Sequence, residues 1–377
     1  MFSKHFAIIL VFLFLTSYSI ADTTSWVKAG YYYSGSEMEA SGIKSTLFTH
    51  LLCAFAFINT TNCKIFINSS EEHKFSTFTN TVKLQNPSVT TLLSIYTARE
   101  NSSFFNSLIN QSSYRKSFID SSIQTARKYG FQGIDLFGVL PKEGKELANL
   151  ATLLKELRIA ITSEARNTNK PELVLVMAGY YVKASDSLSY PFESMQKYLD
   201  WVHFVAYDYY LPKEDNVTNF HAALYGSSGW ENTDSGIKEW RKRGFASNKL
   251  VIGLPYHGYA WRLAKSGEGG VGSPASGPGL TMEGSMSYKF IKSYIRSFGD
   301  GVVSCYNDTF VVNYFTVAST WVNFDDVEVI KEKVSYAKKN GLLGYNVFQV
   351  GNDDNWVLSK AGKFFLPSLD YFSIQNI

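Results

Sequence analysis

Apolar and polar residues fall in blocks along this chain, and the blocks change period in a regular way. Val27–Tyr33 is an apolar and aromatic run of strand length. Phe48–Phe57, Val89–Tyr96, Leu173–Tyr180, Trp201–Tyr207, Leu250–Pro255 and Leu342–Phe348 are further runs of this kind. Another lies within GFQGIDLFGVLP, Gly130 to Pro141. Between them the period is helical. Phe118, Ile119, Ser122, Ile123, Ala126 and Tyr129 share one face that stops at Gly130. Glu146–Ala165 and Ile237–Arg243 predict two more helices, and Val327, Ile330, Val334 and Ala337 mark a last one ending at Gly341. Short, almost wholly apolar strands alternating with amphipathic helices predict a parallel sheet covered on both faces. Eight in alternation predict an α/β fold, the (β/α)8 TIM barrel.

The interval between the seventh and eighth strands is about 85 residues, too long for a simple loop. It holds a Gly/Ser/Pro-rich stretch from Gly267 to Gly279, a helical pattern near Tyr288–Phe298 and β-like runs around Val311 and Trp321. We therefore expect a small α+β insertion domain over residues 256–325, with strands one to seven in 22–255 and strand eight with the C-terminal segment in 326–377.

Residues 1–21 read differently. Lys4 and His5 precede the apolar run Phe6–Leu15, and Ser19-Ile20-Ala21 puts small residues at the cleavage-determining positions. This is the pattern of a secretory signal peptide, too short for a stable transmembrane helix. The expectation is a secreted, soluble protein, extracellular or vacuolar. Sequons at Asn59, Asn68, Asn101, Asn110, Asn216 and Asn307 become candidate glycosylation sites in that setting. Cys53, Cys63 and Cys305 cannot all pair within one chain; a Cys53–Cys63 bridge and three buried thiols both remain open.

A net charge of +3 argues against nucleic acid and anionic membranes as partners. Aromatic residues make up 16% of the chain, enough to fill a core and still line a groove for sugar faces or planar ligands. Without CxxC spacing or a histidine cluster in the sequence, neither a metal nor a cofactor is expected. We expect a monomer with a carbohydrate or small-molecule ligand.

The runs VKAGYY, LFTHLLCAFAF, TLLSI, VAYDYY, IGLPYHGYAWRL and GLLGYNVFQVGNDDN, in this order and with the insertion where it stands, resemble the plant class V chitinases of glycoside hydrolase family 18. The likeness runs from Ser25 to about Gly362. In that family the fourth strand carries DGxDxDxE. Laid on this chain, the pattern falls on Gln132, Gly133, Asp135, Phe137 and Val139, so only Asp135 and the glycine survive. The resemblance implies a mechanism in which the last Glu protonates the glycosidic oxygen and the Asp before it orients the substrate's acetamido group. Val139 has no proton to give, and Phe137 accepts no hydrogen bond. A positioned general acid is worth about 10²–10⁴-fold, so ordinary chitinase chemistry is expected to be absent. Glu143 and Glu146 lie beyond Pro141, where acidic residues ordinarily serve a helix N-terminus.

From the resemblance, Tyr207 and Asp208 contact an N-acetyl group, and Phe348 replaces the Trp that floors the central sugar subsite. Tyr32, Asp135, Tyr207, Asp208, Trp261, Arg262 and Phe348 are the candidate ligand-binding residues. Asp135 also reads as a buried barrel carboxylate held by Ser94, and Trp261 as a seal between insertion and barrel. Phe137 and Val139 are expected to fill part of the pocket. Three functions compete: a chitinase-like protein binding N-acetylglucosamine-containing chains without cleaving them, an enzyme with a repurposed, less polar pocket using groups such as Asp135, Tyr207, Asp208 or His257, and an inhibitor or storage protein.

Overall fold

The computed structural model describes residues 26–363 apart from 98–101, 141–143, 184–189 and 303. The proposed leader, the Asn101 sequon and Glu143 lie outside the described residues. The parallel strands are β1 (Val27–Tyr33), β2 (His50–Ile58), β3 (Thr90–Tyr96), β4 (Gly133–Phe137), β5 (Val174–Gly179), β6 (Trp201–Phe204) and β7 (Leu250–Pro255). After β7 the chain builds β8 (His257–Leu263), β9 (Ala275–Pro278), β10 (Ser285–Ser287), β11 (Cys305–Asn307), β12 (Val312–Val317) and β13 (Thr320–Phe324), then returns in β14 (Gly344–Phe348). The helices are α1 (Glu72–Gln85), α2 (Ser102–Asn110), α3 (Ser112–Lys128), α4 (Gly144–Thr168), α5 (Phe192–Tyr198), α6 (Thr233–Lys242), α7 (Tyr288–Ser297), α8 (Val327–Lys339) and α9 (Val357–Lys363).

Strand β1 pairs in parallel with β2, Tyr31 facing Leu52, and with β14, Ala29 facing Asn346. With β14 also against β7, the eight parallel strands close into a barrel and leave no edge among them. Alternation then sorts their side chains. Ala29, Tyr31, Leu52, Ala54, Leu92 and Val176 pack inside the barrel. Leu51, Cys53, Leu93, Ile134, Leu136 and Met177 pack outward against helical residues such as Phe78, Phe118, Leu153 and Leu157.

Strands β8 to β13 form a separate antiparallel sheet, in which β8 is central and pairs with β9, β10 and β13. Only Tyr256 separates β7 from β8, so this sheet springs directly from the barrel's C-terminal rim. Among the described residues no helix is long and apolar enough to cross a membrane.

Candidate functional site at the barrel mouth

Strand β4 crosses the centre of the barrel wall, and its glycine shows how tight that wall is. A Cβ on Gly133 would stand 2.8 Å from Leu92 Cγ and 2.8 Å from the Val174 carbonyl oxygen. Asp135, two residues on, is fully buried inside the barrel. Its Oδ2 accepts from Ser94 Oγ at 2.6 Å and from the Tyr31 hydroxyl at 3.1 Å. The Tyr31 oxygen also lies 2.8 Å from His203 Nδ1, while Trp201 Nε1 donates to His203 Nε2 at 2.8 Å. An indole nitrogen can only donate, so His203 accepts at Nε2 and carries its proton on Nδ1. The relay then runs Trp201 to His203 to Tyr31 to Asp135. Burial pulls the His203 imidazole down to about 3 and pushes the Asp135 carboxyl up to about 7, against the two hydrogen bonds it receives.

Phe137 follows at the mouth. Its ring stacks on Phe348 at 5.6 Å and 12°, meets Tyr31 edge-on at 5.6 Å and tilts against Phe55 at 4.9 Å. An aromatic plug thus fills the barrel axis above Asp135. Val139 does not join it, contrary to the expectation. Gly138 takes φ +91°, a turn that glycine adopts without penalty, and Val139 enters the apolar layer between barrel and helices. Its backbone carbonyl accepts from the Tyr190 hydroxyl at 3.1 Å. Gln132 is exposed before the strand begins, its backbone amide bonded to the Thr91 carbonyl at 2.7 Å. Glu146 sits in the first turn of α4 and accepts from Asn106 Nδ2 at 2.6 Å.

Beyond β6 the chain reaches Tyr207, whose ring stacks on Phe348 at 5.9 Å, and then Asp208 at φ +63°. That left-handed conformation is tolerated by Asp better than by most side chains. Asp208 Oδ1 lies 2.9 Å from His257 Nε2 and accepts from the Tyr259 hydroxyl at 3.1 Å, and His221 Nδ1 lies 3.6 Å away. Burial works to raise the Asp208 carboxyl, but the His257 and His221 imidazoles outweigh it and hold it well below the usual carboxylate range. The histidine cluster missing from the linear sequence is therefore assembled by the fold, from the segment after β6 and the first residue of β8.

Three expected ligand contacts are placed elsewhere. Tyr32 points outward rather than into the mouth: its ring stacks on Phe78 of α1 at 5.3 Å and its hydroxyl donates to the Met38 carbonyl at 2.8 Å. Strand alternation gives the inward position to Tyr31 instead. Trp261 is fully buried in the second sheet against Trp321, at 5.4 Å, and Tyr259, so it is core and not a sugar platform. Arg262 alternates to the exposed side of β8, where its Nε donates to Ser276 Oγ at 3.2 Å.

Two hollows flank the plug. Tyr33, Phe55, Phe57, Tyr96, Phe348 and Gln349 line one of about 360 Å³. Leu140, Tyr180, Tyr181, Val205, Tyr207, Asp208, Tyr209 and Glu231 line another of about 150 Å³. Tyr33, Phe55 and Phe57 were not among the sequence candidates, and Tyr96 faces Phe137 in the β3–β4 register and shares its parity. Away from the mouth, Asn68, Asn110 and Asn216 are exposed, while Asn59 and Asn307 are half-buried with their side-chain oxygens accepting local backbone amides. All three cysteines are free thiols, Cys53 and Cys63 buried and Cys305 exposed.

Comparison with known proteins places this geometry. Residues 27–353 match the family described as glycosyl hydrolases family 18. A class V chitinase from Arabidopsis thaliana is 41% identical over 94% of this chain and 93% of its own. A crystal structure of a class V chitinase from Nicotiana tobaccum, in complex with NAG4, superposes with a TM-score of 0.86 at 40% identity, covering 90% of this chain and 98% of that one. The chitinase-like agglutinin of Robinia pseudoacacia superposes at 0.82 with 38% identity, over 89% of this chain and 98% of that one. The closed parallel barrel, the added antiparallel sheet and the strand motifs agree with these matches: the chain belongs to glycosyl hydrolases family 18, where it stands beside the plant class V chitinases.

Proposed function

We propose that this protein binds N-acetylglucosamine-containing oligosaccharides at the barrel mouth without hydrolysing them, and that it acts after secretion, outside the cell or in the vacuole. The observation carrying this reading is the Phe137–Phe348 stack. A phenyl ring lies where the family places a carboxylate, and the next family carboxylate position is a valine packed in the outer core. No proton donor is delivered to a glycosidic oxygen from β4. The flanking aromatic hollow suits a sugar face, and stacking plus a few hydrogen bonds supplies roughly 4–7 kcal/mol, equivalent to millimolar to ten-micromolar affinity. A chitinase-like agglutinin on the same fold supports binding as a use of this architecture.

The test is calorimetry with chitotetraose, together with a product assay on the same sample. Heat saturating in that affinity range with no released product supports the reading, whereas no heat at millimolar ligand defeats it. The apolar character of the hollow formed by Phe55, Phe57 and Phe348 favours one alternative, a small apolar ligand, and a parallel titration with flat apolar metabolites separates the two. Processing at the leader is checked by N-terminal sequencing of protein from the native tissue; a mature start near Asp22 is expected.

A further inference from the structure

The Asp208, His221 and His257 side chains present one carboxylate oxygen and two imidazole nitrogens, all within 4.8 Å of one another. We infer that these three residues bind a single divalent transition-metal ion of the zinc class, held at the edge of the smaller cavity. This inference is independent of how the aromatic hollow is used.

Four observations carry it. The first is spacing. Asp208 Oδ1 lies 2.9 Å from His257 Nε2 and 3.6 Å from His221 Nδ1. A tetrahedral ion with bonds of 2.0–2.1 Å needs ligand atoms about 3.3 Å apart; the two Asp208 pairs bracket that distance, and the two imidazole nitrogens, within 4.8 Å of each other, would settle to it by side-chain rotation. The second is the poor pairing of the His221 ring, whose Nδ1 stands 3.6 Å from Asp208 Oδ1. The ring is 1% exposed, and neither ring nitrogen has a hydrogen-bond partner. A buried imidazole with no hydrogen bond at either nitrogen is costly, and a metal ion shared with Asp208 would satisfy one of them.

The third is the outer support. His257 Nδ1 lies 3.3 Å from the Phe348 carbonyl oxygen, which can only accept, so this nitrogen carries the proton. In the neutral ring Nε2 is then a lone pair, and it faces the Asp208 carboxylate. Two acceptors 2.9 Å apart require a cation between them, either a proton on Nε2 or a metal. Carbonyl support of the distal imidazole nitrogen is the usual arrangement around ligating histidines. Tyr259, donating to the same Asp208 oxygen, fixes the carboxylate as well.

The fourth is access. Asp208 is a quarter exposed and lines the cavity of about 150 Å³, which leaves an open coordination position for water or for a ligand oxygen. Competing charges nearby are already paired: Glu231 with Lys183, and the buried Lys333 with Asp325. Two imidazoles and one carboxylate favour zinc, copper, nickel or cobalt over calcium or magnesium, whose sites are built from oxygen.

The experiment uses tag-free full-length protein stripped with a chelator and titrated with Co²⁺ at pH 7.5, then with Zn²⁺. The expected result is one equivalent of Co²⁺ with visible d–d absorption of low-symmetry intensity, displaced by one equivalent of Zn²⁺, and a rise in Tm on Zn²⁺ addition. His221→Gln and His257→Gln should each weaken binding by at least the 10–100-fold cost typical of losing even a supporting partner. His73→Gln, which removes an exposed imidazole outside the cluster, should leave the titration unchanged. Asp208→Asn preserves shape if either Gln variant folds poorly, and it should also abolish the Zn²⁺-induced Tm rise. Absence of stoichiometric Co²⁺ absorption and of any Zn²⁺ effect on Tm in the unmodified protein overturns the inference, and leaves the proton as the cation between His257 and Asp208. Undiminished binding in folded His221→Gln and His257→Gln variants overturns it equally.

Discussion

The rings of Phe137 and Phe348 lie face to face, 12° from parallel and 5.6 Å apart, at the centre of the barrel mouth. Tyr31 and Tyr207 pack against the same Phe348 ring at 5.5 Å and 5.9 Å. The aromatic cluster formed by these four rings fills the space above Asp135.

Rescue of hydrolysis by Phe137→Asp with Val139→Glu is accordingly expected to fail. Residue 139 faces the outer apolar layer, so its new carboxylate would be buried among hydrophobic side chains rather than delivered to a substrate. An unpaired charge there should cost several kcal/mol, read as a lower denaturation midpoint. A double variant that folds with normal stability and cleaves chitotetraose would show that β4 can redirect this residue inward.

Asp135 predicts a pH signature. Its folded carboxyl is raised to about 7 by burial, above the ordinary 3.8, so the unfolded chain releases this proton first. The stability contributed by the protonated group is full below about pH 4 and is lost as pH climbs to about 7. Asp135→Asn cannot titrate. Its stability relative to the unmodified protein should therefore rise with pH across that window, by up to a few kcal/mol. Chemical denaturation at several pH values measures it, and parallel stability curves would count against the assignment.

Aromatic substitutions should separate binding from folding. Tyr96→Ala opens the wall of the larger hollow and is expected to weaken chitotetraose binding by about tenfold or more while the protein stays folded. Trp261→Ala should instead cost about 3–5 kcal/mol of stability, because it empties the core of the second sheet. Arg262→Ala, at an exposed position, should change stability by no more than about 0.5 kcal/mol. A large binding loss in a folded Trp261→Ala variant would contradict this division.

The thiols give a simple check on the packing. Under native conditions only Cys305 should react promptly with a thiol reagent, and all three cysteines should react after denaturation. Two missing thiols in the denatured sample would reveal a Cys53–Cys63 bridge.

The sequence by itself determined the barrel. Its eight apolar runs and intervening helical faces are local patterns, and local patterns suffice when each strand is buried on both sides. It also located the degenerate motif on β4, since one strand's own residues carry that information. What it left undecided was direction and company. Tyr32 was the candidate on that strand, and pairing with β2 and β14 gives the axis to Tyr31 instead. Val139 belongs to the inward parity of β4 on paper, and the turn at Gly138 takes it out. His221 and His257 stand 36 positions apart in sequence, with an entire helix and strand between them, and meet only because both segments return to Asp208 at the rim. Side-chain orientation and long-range encounter depend on closure of the barrel, and closure is a property of all eight strands together, not of any segment read alone.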